Sequence, residues 1–264
     1  LTPIVRPFFA HRVKESLRWT SQSEMIQRQQ LMWMIQQARN THWGVKYGYS
    51  TISSYEDFVA KVPMTPYEEI RPLIKRMIAG ERDVLWKGRT THFAQSSGTS
   101  DGKSKYIPIT ADSFQRCHYR GGSDVVAHYL NLYPDSRMFS GKGFILGGSY
   151  GNELNSLPKG VVVGDLSANL IDNINPLVNI MRVPSKKIAL MEDWAQKLPA
   201  LVEASINENI TNISGVPSWF LTVLKEIIKK AGATTIHDVW PNLEVFFHGG
   251  ISFVPYKEQY RAIT

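Results

Sequence analysis

The sequence predicts an α/β fold with a mixed, largely parallel sheet flanked by helices. Short apolar stretches typical of buried strands, such as Gly143 to Gly148 and Leu243 to Phe247, alternate with amphipathic helical patterns. This alternation favours parallel pairing, because a helix can return the chain to the same edge of the sheet. With 264 residues, 43% of them hydrophobic, the chain can bury a large core. Its length predicts one large domain or two small ones, and no repeat or linker marks a boundary.

Three capping-box patterns predict helices in the first third of the chain. Ser21 to Glu24 forms an S-x-x-E box before apolar residues at helical spacing, which indicates a helix with a buried face. Ser53 to Glu56 forms a second box before a short helix. Thr65 to Glu68 forms a third, whose proline is expected at the first helical position. We expect this last helix to reach Gly80, with a break or restart at Pro72.

The stretch from Phe93 to Pro108 combines strand patterns with the chemistry of an anion site. Asp83 to Trp86 and Thr91 to Gln95 predict strands, and Lys105 to Thr110 resumes extended structure. Between them lie the hydroxyls, glycines and lysines of Ser96, Ser97, Gly98, Thr99, Ser100, Gly102, Lys103 and Lys105. Glycines let backbone N–H groups converge, hydroxyls add donors, and a lysine adds positive charge. A phosphate-binding loop between two strands is one interpretation, and a solvated hairpin tip is the other.

The rest of the chain continues the alternation of helix and strand. Thr110 can cap a helix that reaches about Leu132, and Val161 to Gly164 is typical of a short buried strand. Ser185 is expected to open a helix that Pro199 interrupts. After the strand-like Ile210 to Ser214, a helix should begin at Pro217 and end at Gly232, since proline suits the first turn of a helix and glycine its end.

Other motifs compete for the same glycines and serines. A Walker A loop would need a glycine where Ser97 stands and a helix after the lysine, where strand-like residues follow instead. The serine-hydrolase elbow G-x-S-x-G occurs around Ser100 and Ser149, although helical periodicity follows neither. The groups that would complete a Ser, Asp, His order are Asp165, Asp193, His237 and His248. A serine hydrolase therefore remains the alternative enzyme class.

Composition bears on several other classes of function. The net charge is +7, but the basic residues are dispersed and form no run that would track nucleic acid, so a solvated surface is the favoured explanation. The single cysteine, Cys117, excludes an intramolecular disulfide framework. The seven histidines include no H-E-x-x-H motif, and we expect no metal site built from histidines. No apolar run has the length of a membrane span, and the first residues lack the pattern of a signal peptide. We expect a cytoplasmic protein that binds neither nucleic acid nor membrane.

Read together, SSGTSDGKSKYIP resembles the phosphate-binding signature of adenylate-forming enzymes, a Ser/Thr/Gly run followed by a glycine and a lysine. More closely, the sequence is similar to the Gretchen Hagen family of acyl acid amido synthetases, the auxin-conjugating enzymes of plants and their bacterial relatives. An extra residue around Asp101 distinguishes it from acyl-CoA synthetases and luciferases. The other blocks that carry the resemblance are Gln30 to Gly48, Pro72 to Glu81, Gly164 to Ala168, Gly215 to Phe220 and Trp240 to Tyr256.

The resemblance implies an adenylate-forming ligase that uses ATP and Mg²⁺. Such an enzyme activates a carboxylic acid as an acyl-adenylate and then transfers the acyl group to an amine, such as that of an amino acid, or to a thiol. Family members are about twice as long as this chain. Residues 1–264 are therefore expected to be a truncated N-terminal part of the adenylation domain that is inactive alone. A non-catalytic nucleotide-binding fragment is the alternative outside the enzyme classes.

The resemblance also implies roles for individual residues. It assigns the triphosphate to Ser96, Ser97, Gly98, Thr99, Ser100, Gly102 and Lys105, with Lys105 and Thr99 in catalytic roles. It places His248, Gly249 and Gly250 beside the nucleotide, and Val216, Pro217 and Trp219 in the acyl pocket. From the residues alone, a tight turn after a buried strand and a helix start with a core tryptophan are the alternatives for these two groups.

Overall fold

A computed structural model describes residues 2–96, 104–154 and 156–264. It divides the chain into two compact units, which we name by their sheets. The hairpin unit comprises Phe8–His128 and Asn152–Leu166, and the parallel unit comprises Leu1–Pro7, Tyr129–Gly151 and Ser167–Thr264. The α/β class is confirmed, but the strands form two sheets.

The described residues form seven strands and fourteen α-helical segments. The strands are β1 (His92–Gln95), β2 (Tyr106–Ile109), β3 (Lys142–Ile145), β4 (Val162–Gly164), β5 (Arg182–Val183), β6 (Ile210–Gly215) and β7 (Val245–His248). The helices are α1 (Thr2–Leu17), α2 (Trp19–Ala38), α3 (His42–Lys46), α4 (Tyr55–Lys61), α5 (Tyr67–Ile78), α6 (Ala111–Ser113), α7 (Arg120–Leu132), α8 (Leu166–Asp172), α9 (Pro176–Ile180), α10 (Lys186–Ala189), α11 (Trp194–Ser205), α12 (Pro217–Ala231), α13 (Ile236–Val239) and α14 (Lys257–Ile263). A π-helical segment, Phe114–Tyr119, joins α6 to α7.

The hairpin unit contains a three-stranded sheet in the order β2-β1-β4. β1 pairs antiparallel with β2 and parallel with β4, so the segment between Gln95 and Tyr106 joins strand to strand, as predicted. Phe93 and Val163 are buried beside Met77 of α5 in the core of this unit. The apolar core therefore supports β1 and β2, the two strands that flank the candidate loop.

The prediction of a strand from Asp83 to Trp86 is wrong. Asp83 has a positive φ of 56°, its carboxylate accepts a hydrogen bond from the Gly88 N–H, and its carbonyl accepts one from the His42 N–H. A short polar side chain that bonds to nearby backbone favours a turn over a strand. These residues thus form an irregular loop.

The parallel unit contains a four-stranded sheet in the order β5-β3-β6-β7, in which the pairs are parallel. Its core includes Phe144, Phe220 and Trp240, all fully buried, and the Trp240 indole donates a hydrogen bond to the Ser205 carbonyl at 3.1 Å. The predicted helix α12 begins at Pro217 and ends before Gly232, whose φ is +65°. Proline at the start and left-handed glycine at the end explain both bounds.

Two of the predicted capping boxes are displaced in the structure. α2 begins at Trp19, and the Ser21 box lies inside it beside a kink where Gln22 leaves helical geometry. Ser54, not Ser53, caps α4, since its hydroxyl accepts the Asp57 N–H while Ser53 bonds to the Asp57 carboxylate. Adjacent serines can compete for one cap, so the sequence pattern was off by one residue.

The prolines expected to break or restart helices lie inside helices instead. Pro66 was expected at the first helical position of α5 but is its N-cap, one position earlier. The helix then continues through Pro72 to Ile78. The helix predicted from Ser185 is divided into α10 and α11, because Asp193 accepts the Ala195 N–H and begins a new helix. Pro199 then lies within α11 without ending it.

Candidate functional site

The two stems of the candidate phosphate loop are bonded to each other through Ser96 and Lys105. The Ser96 N–H donates to the Lys105 carbonyl at 2.9 Å, and the Lys105 N–H donates to the Ser96 hydroxyl oxygen at 3.2 Å. A hydroxyl that accepts one bond keeps its own proton for another acceptor. The other predicted loop residues, Ser97, Gly98, Thr99, Ser100, Gly102 and Lys103, lie outside the described residues.

Behind this pair lies a polar chain across the hairpin. The Gln95 side-chain amide donates to the Ser104 hydroxyl at 3.1 Å, and that hydroxyl donates to the Glu153 carboxylate at 2.9 Å. Gln95 Oε1 is buried and has no hydrogen-bond donor among the described residues. Because Gln95 Oε1 is a hydrogen-bond acceptor, it requires a donor and would not bind a phosphate oxygen.

The ammonium of Lys105 lies over an aromatic ring. Its Nζ is 5.4 Å from the ring centroid of Tyr67, a cation–π contact, and among the described residues no ion pair involves Lys105. Burial raises the pKa of the adjacent Tyr106 phenol, and the nearby charge of Glu153 raises it further. The stem therefore presents one cation and hydroxyl groups, a donor set that fits a phosphate ester.

In the parallel unit, the other predicted residues lie where strands end. Because parallel strands share one carboxyl edge, β3, β6 and β7 end side by side, and Gly215 pairs with His248 in register. This edge is where α/β sheets bind ligands. A side chain at Gly215 would lie 2.9 Å from the Phe220 ring and 3.1 Å from the Leu146 carbonyl oxygen, so the glycine allows close packing there.

His248, Gly249 and Gly250 form the turn at the end of β7. The His248 imidazole stacks on Phe253, with ring centroids 4.6 Å apart and an interplanar angle of 25°. Gly250 has a φ of +84°, and a Cβ there would lie 3.4 Å from Val216, whereas a Cβ at Gly249 would meet nothing within 4 Å. Gly250 is thus required by the backbone, and Gly249 leaves open space beside it.

The three predicted pocket residues differ in exposure. Val216 precedes α12 and is half-buried, and Pro217 is buried with its carbonyl accepting a hydrogen bond from the Tyr260 hydroxyl at 2.8 Å. Trp219 is 44% exposed, and its ring lies 6.0 Å from that of Trp194. Trp219 is therefore not a core tryptophan, and it presents an aromatic surface with Trp194.

Sequence reasoning missed Lys197, which supports the end of β3. Lys197 lies in α11, is only 3% exposed, and donates to the carbonyls of Gly147 and Gly148 at 2.8 and 3.3 Å. A lysine among apolar residues of a helix was the available signal, but its partners are about fifty positions earlier. The structure thus gives this buried ammonium a role in holding the strand end.

The serine-hydrolase geometry is not formed around Ser149. Between β3 and β4, residues 146–154 and 156–161 contain no helix, although an elbow requires one directly after the serine. Asp193 caps α11, and the His237 ring bonds to the Leu243 carbonyl. Ser100 lies outside the described residues, but β2 follows its segment where a helix would be needed.

The described residues contain neither a membrane-spanning helix nor a cluster of metal-binding side chains. In residues 2–96, 104–154 and 156–264, no helix is both long and apolar enough to cross a membrane. Over the same ranges, no group of three or more His, Cys, Asp or Glu side chains is arranged to hold a metal ion.

Comparison with known proteins gives a family match over most of the chain. A family model described as the GH3 family N-terminal domain matches residues 12–264. Indole-3-acetic acid-amido synthetase GH3.17 of Arabidopsis thaliana is 30% identical over 129 residues, which are 48% of this chain and 21% of that protein. The putative indole-3-acetic acid-amido synthetase GH3.10 of Oryza sativa subsp. japonica is 36% identical over 87 residues, 33% of this chain and 18% of that protein.

Solved structures show the same fold. The GH3.15 acyl acid amido synthetase superposes with a TM-score of 0.75 at 17% identity, over 95% of this chain and 53% of that one. AtGH3.15 in complex with 2,4-DB gives a TM-score of 0.77 at 17% identity, over 98% and 54% of the two chains. The chain thus shares the fold of these two acyl acid amido synthetases, and it spans about half of their length.

Proposed function

The chain belongs to the GH3 family, and we propose that the protein it represents is an ATP-dependent ligase acting in the cytoplasm. It activates a carboxylic acid as an acyl-adenylate and transfers the acyl group to the amine of an amino acid, with a thiol as the alternative acceptor. The observation that carries this proposal lies at the hairpin stem, by which we mean the ends of β1 and β2 at Ser96 and Lys105. There the Lys105 ammonium and the Ser96 hydroxyl flank the predicted phosphate loop in the sequence. The curated relatives named above are indole-3-acetic acid-amido synthetases, which supports an amino acid as acceptor.

The main task of the hairpin residues is to offset negative charge. ATP, when bound with Mg²⁺, would supply the α-phosphorus that the carboxylate attacks, with pyrophosphate as the leaving group. The acceptor amine would then displace AMP from the acyl-adenylate. Lys105 lowers the repulsion between the attacking carboxylate and the phosphates, and the Ser96 hydroxyl donates a hydrogen bond to a phosphate oxygen. We propose the same donor role for the hydroxyls and N–H groups of the loop, including Thr99. Mg²⁺ would be held by the phosphate oxygens of ATP, which are ligands that it prefers, and would offset part of their negative charge.

The parallel unit contributes flat and apolar surfaces. We propose that the open space at Gly249 lets the backbone approach the planar base of the nucleotide, with His248 held in place by its stack on Phe253. The exposed ring of Trp219 and the side chain of Val216 contact the acyl group. Pro217 serves by fixing the start of α12, because its ring is buried.

Residues 1–264 are, in this proposal, one part of a larger adenylation domain. The supporting fact is that they span 53–54% of the two solved relatives. We propose that acyl transfer requires the rest of the protein, and that the 264-residue chain alone is inactive.

The proposal is tested by ATP–pyrophosphate exchange with the full-length protein and a panel of aryl and alkyl carboxylic acids. We expect exchange that depends on an acid, and an acid–amino acid conjugate by mass spectrometry when amino acids are added. A fluorophosphonate probe is the control, because a serine hydrolase would be labelled at Ser100 or Ser149. Labelling without exchange would replace the ligase with a hydrolase.

A further inference from the structure

Tyr67, the first residue of α5, contacts both the backbone and the charge of the second hairpin stem. We infer that Tyr67 is the positioning residue for Lys105: its hydroxyl fixes the backbone at the start of β2, and its ring holds the Lys105 ammonium next to that strand end. This inference rests on the proposed function, because it assigns Lys105 to the triphosphate.

The hydroxyl of Tyr67 acts as a substitute strand partner. β2 is an outer strand, and since Lys105 bonds inward to Ser96, the backbone groups of Tyr106 point away from β1. Tyr67 Oη accepts the Tyr106 N–H at 2.6 Å and donates to the Tyr106 carbonyl at 3.2 Å. Both outward backbone groups of this residue are thereby satisfied, which fixes the residue directly after Lys105.

The ring of Tyr67 then orients the lysine side chain. Lys105 Nζ lies 5.4 Å from the ring centroid, and the Arg71 guanidinium carbon lies 5.3 Å from the same centroid. Arg71 is paired with Glu68 at 2.9 Å, so its charge is largely offset within α5. Among the described residues the Lys105 ammonium has no such carboxylate and is held by the ring alone. The Lys105 ammonium is therefore oriented while it keeps its full positive charge, which suits a group that binds a phosphate.

Orientation matters here because lysine is a flexible chain that ends in a point charge. Holding it before the ligand arrives lowers the entropy lost on binding. An aromatic ring can do this without the competing anion that a carboxylate would place beside the phosphates. The contribution of Tyr67 to ATP binding should therefore require Lys105. A general structural contribution of Tyr67 would be the same with or without Lys105.

The test is a double-mutant cycle in the full-length protein. Tyr67→Phe removes the two hydrogen bonds and keeps the ring, and Tyr67→Leu removes both contacts. Each is made alone and together with Lys105→Ala, and Tyr55→Phe on α4, where the tyrosine is 52% exposed, is the matched control. The measurements are kcat/KM for ATP in pyrophosphate exchange, the dissociation constant for ATP by calorimetry without acid, and the thermal unfolding midpoint.

We expect kcat/KM for ATP to fall about 5-fold in Tyr67→Phe and about 20-fold in Tyr67→Leu, with weaker ATP binding in the same order and no change in Tyr55→Phe. In the Lys105→Ala background, neither Tyr67 variant should cause a further loss above about 2-fold. Equal losses in both backgrounds, or an unchanged Tyr67→Leu, would overturn the role of Tyr67. If Tyr67→Leu does not fold, Tyr67→Phe decides the matter by the same comparison. Absence of exchange by the wild-type protein with every acid would instead count against the proposed function.

Discussion

The hairpin stem and the carboxyl edge of the parallel sheet hold their candidate residues in different ways. At the hairpin, side chains do the positioning: Ser96 bonds to the backbone of Lys105, and Tyr67 holds the ammonium. At the parallel edge, the backbone does it, through the pairing of Gly215 with His248 and the left-handed turn at Gly250. The hairpin thus presents charge on flexible side chains. The parallel edge presents flat, open surface at glycines, which have no side chain.

This difference predicts how each region responds to substitution. Removing a side chain at the hairpin deletes one interaction and leaves the paired strands in place. Adding a side chain at the parallel edge either strains the backbone, which lowers stability, or fills the open space at Gly249, which changes only what can bind there.

Lys105→Ala should lower ATP–pyrophosphate exchange by about 10²–10³ and leave the unfolding midpoint close to that of the wild type. The reason is that the variant removes the one hairpin-stem cation without an ion pair among the described residues, at a position outside the apolar core. Lys46→Ala is the matched control, because Lys46 also lies over rings, 5.5 Å from Trp43 and 4.9 Å from Tyr47, in the same unit. Exchange that survives Lys105→Ala at the wild-type rate would remove Lys105 from the site.

Gly250→Ala and Gly249→Ala should separate the two effects at the parallel edge. Gly250→Ala should destabilise the protein by about 1–2 kcal/mol, because an L residue is strained at its φ of +84°. Gly249→Ala should leave stability unchanged, since its Cβ would meet nothing within 4 Å, and should weaken ATP binding by filling that space. Urea unfolding and calorimetry measure the two quantities. Unchanged ATP binding in Gly249→Ala would mean that the nucleotide does not approach this turn.

The features that could be predicted from sequence are those set by local chemistry. The bounds of α12 follow from Pro217 and Gly232, and the strand–loop–strand arrangement follows from apolar residues on both sides of a polar, glycine-bearing segment. The family resemblance, confirmed over residues 12–264, likewise rested on contiguous blocks. Such signals need no knowledge of distant residues.

What could not be predicted depends on contacts between distant positions. Tyr67 bonds to Tyr106, 39 positions away, and Lys197 bonds to Gly147, 50 positions away. Neither pairing has a local signature, because a capping-box tyrosine and a helical lysine read as ordinary surface or core residues. The division into two sheets was missed for the same reason, since strand patterns do not name their partners.

Glu153→Gln should lower the KM for ATP by about 2- to 3-fold. Glutamine keeps an acceptor for the Ser104 hydroxyl, now 2.9 Å from the carboxylate, while it removes a negative charge from the hairpin stem. Glu81→Gln is the control, since that carboxylate pairs with Arg76 in the same unit. Steady-state exchange at varied ATP measures the change. A higher KM in Glu153→Gln would indicate that the charge of Glu153 assists ATP binding.

The Tyr106 phenol should report the charges around the hairpin stem through its pKa. Burial raises this pKa above its ordinary value, Glu153 raises it further, and Arg71 lowers it. Glu153→Gln should therefore lower the Tyr106 pKa, and Arg71→Gln should raise it. A titration of Tyr106 by carbon-13 NMR measures both shifts, and shifts of the same sign would contradict the arrangement of charges.

The same raised pKa predicts the direction of the stability change in alkali. Above a pH of about 10, where an unfolded tyrosine ionises, the folded state keeps the Tyr106 proton that the unfolded state loses. The folded state then binds more protons, so its stability falls as the pH rises through this range and is fully present below it. Tyr106→Phe cannot ionise, and its free energy of unfolding should fall less steeply between pH 9 and 11 than that of the wild type. Parallel slopes in urea unfolding would show that the hairpin does not shield this phenol.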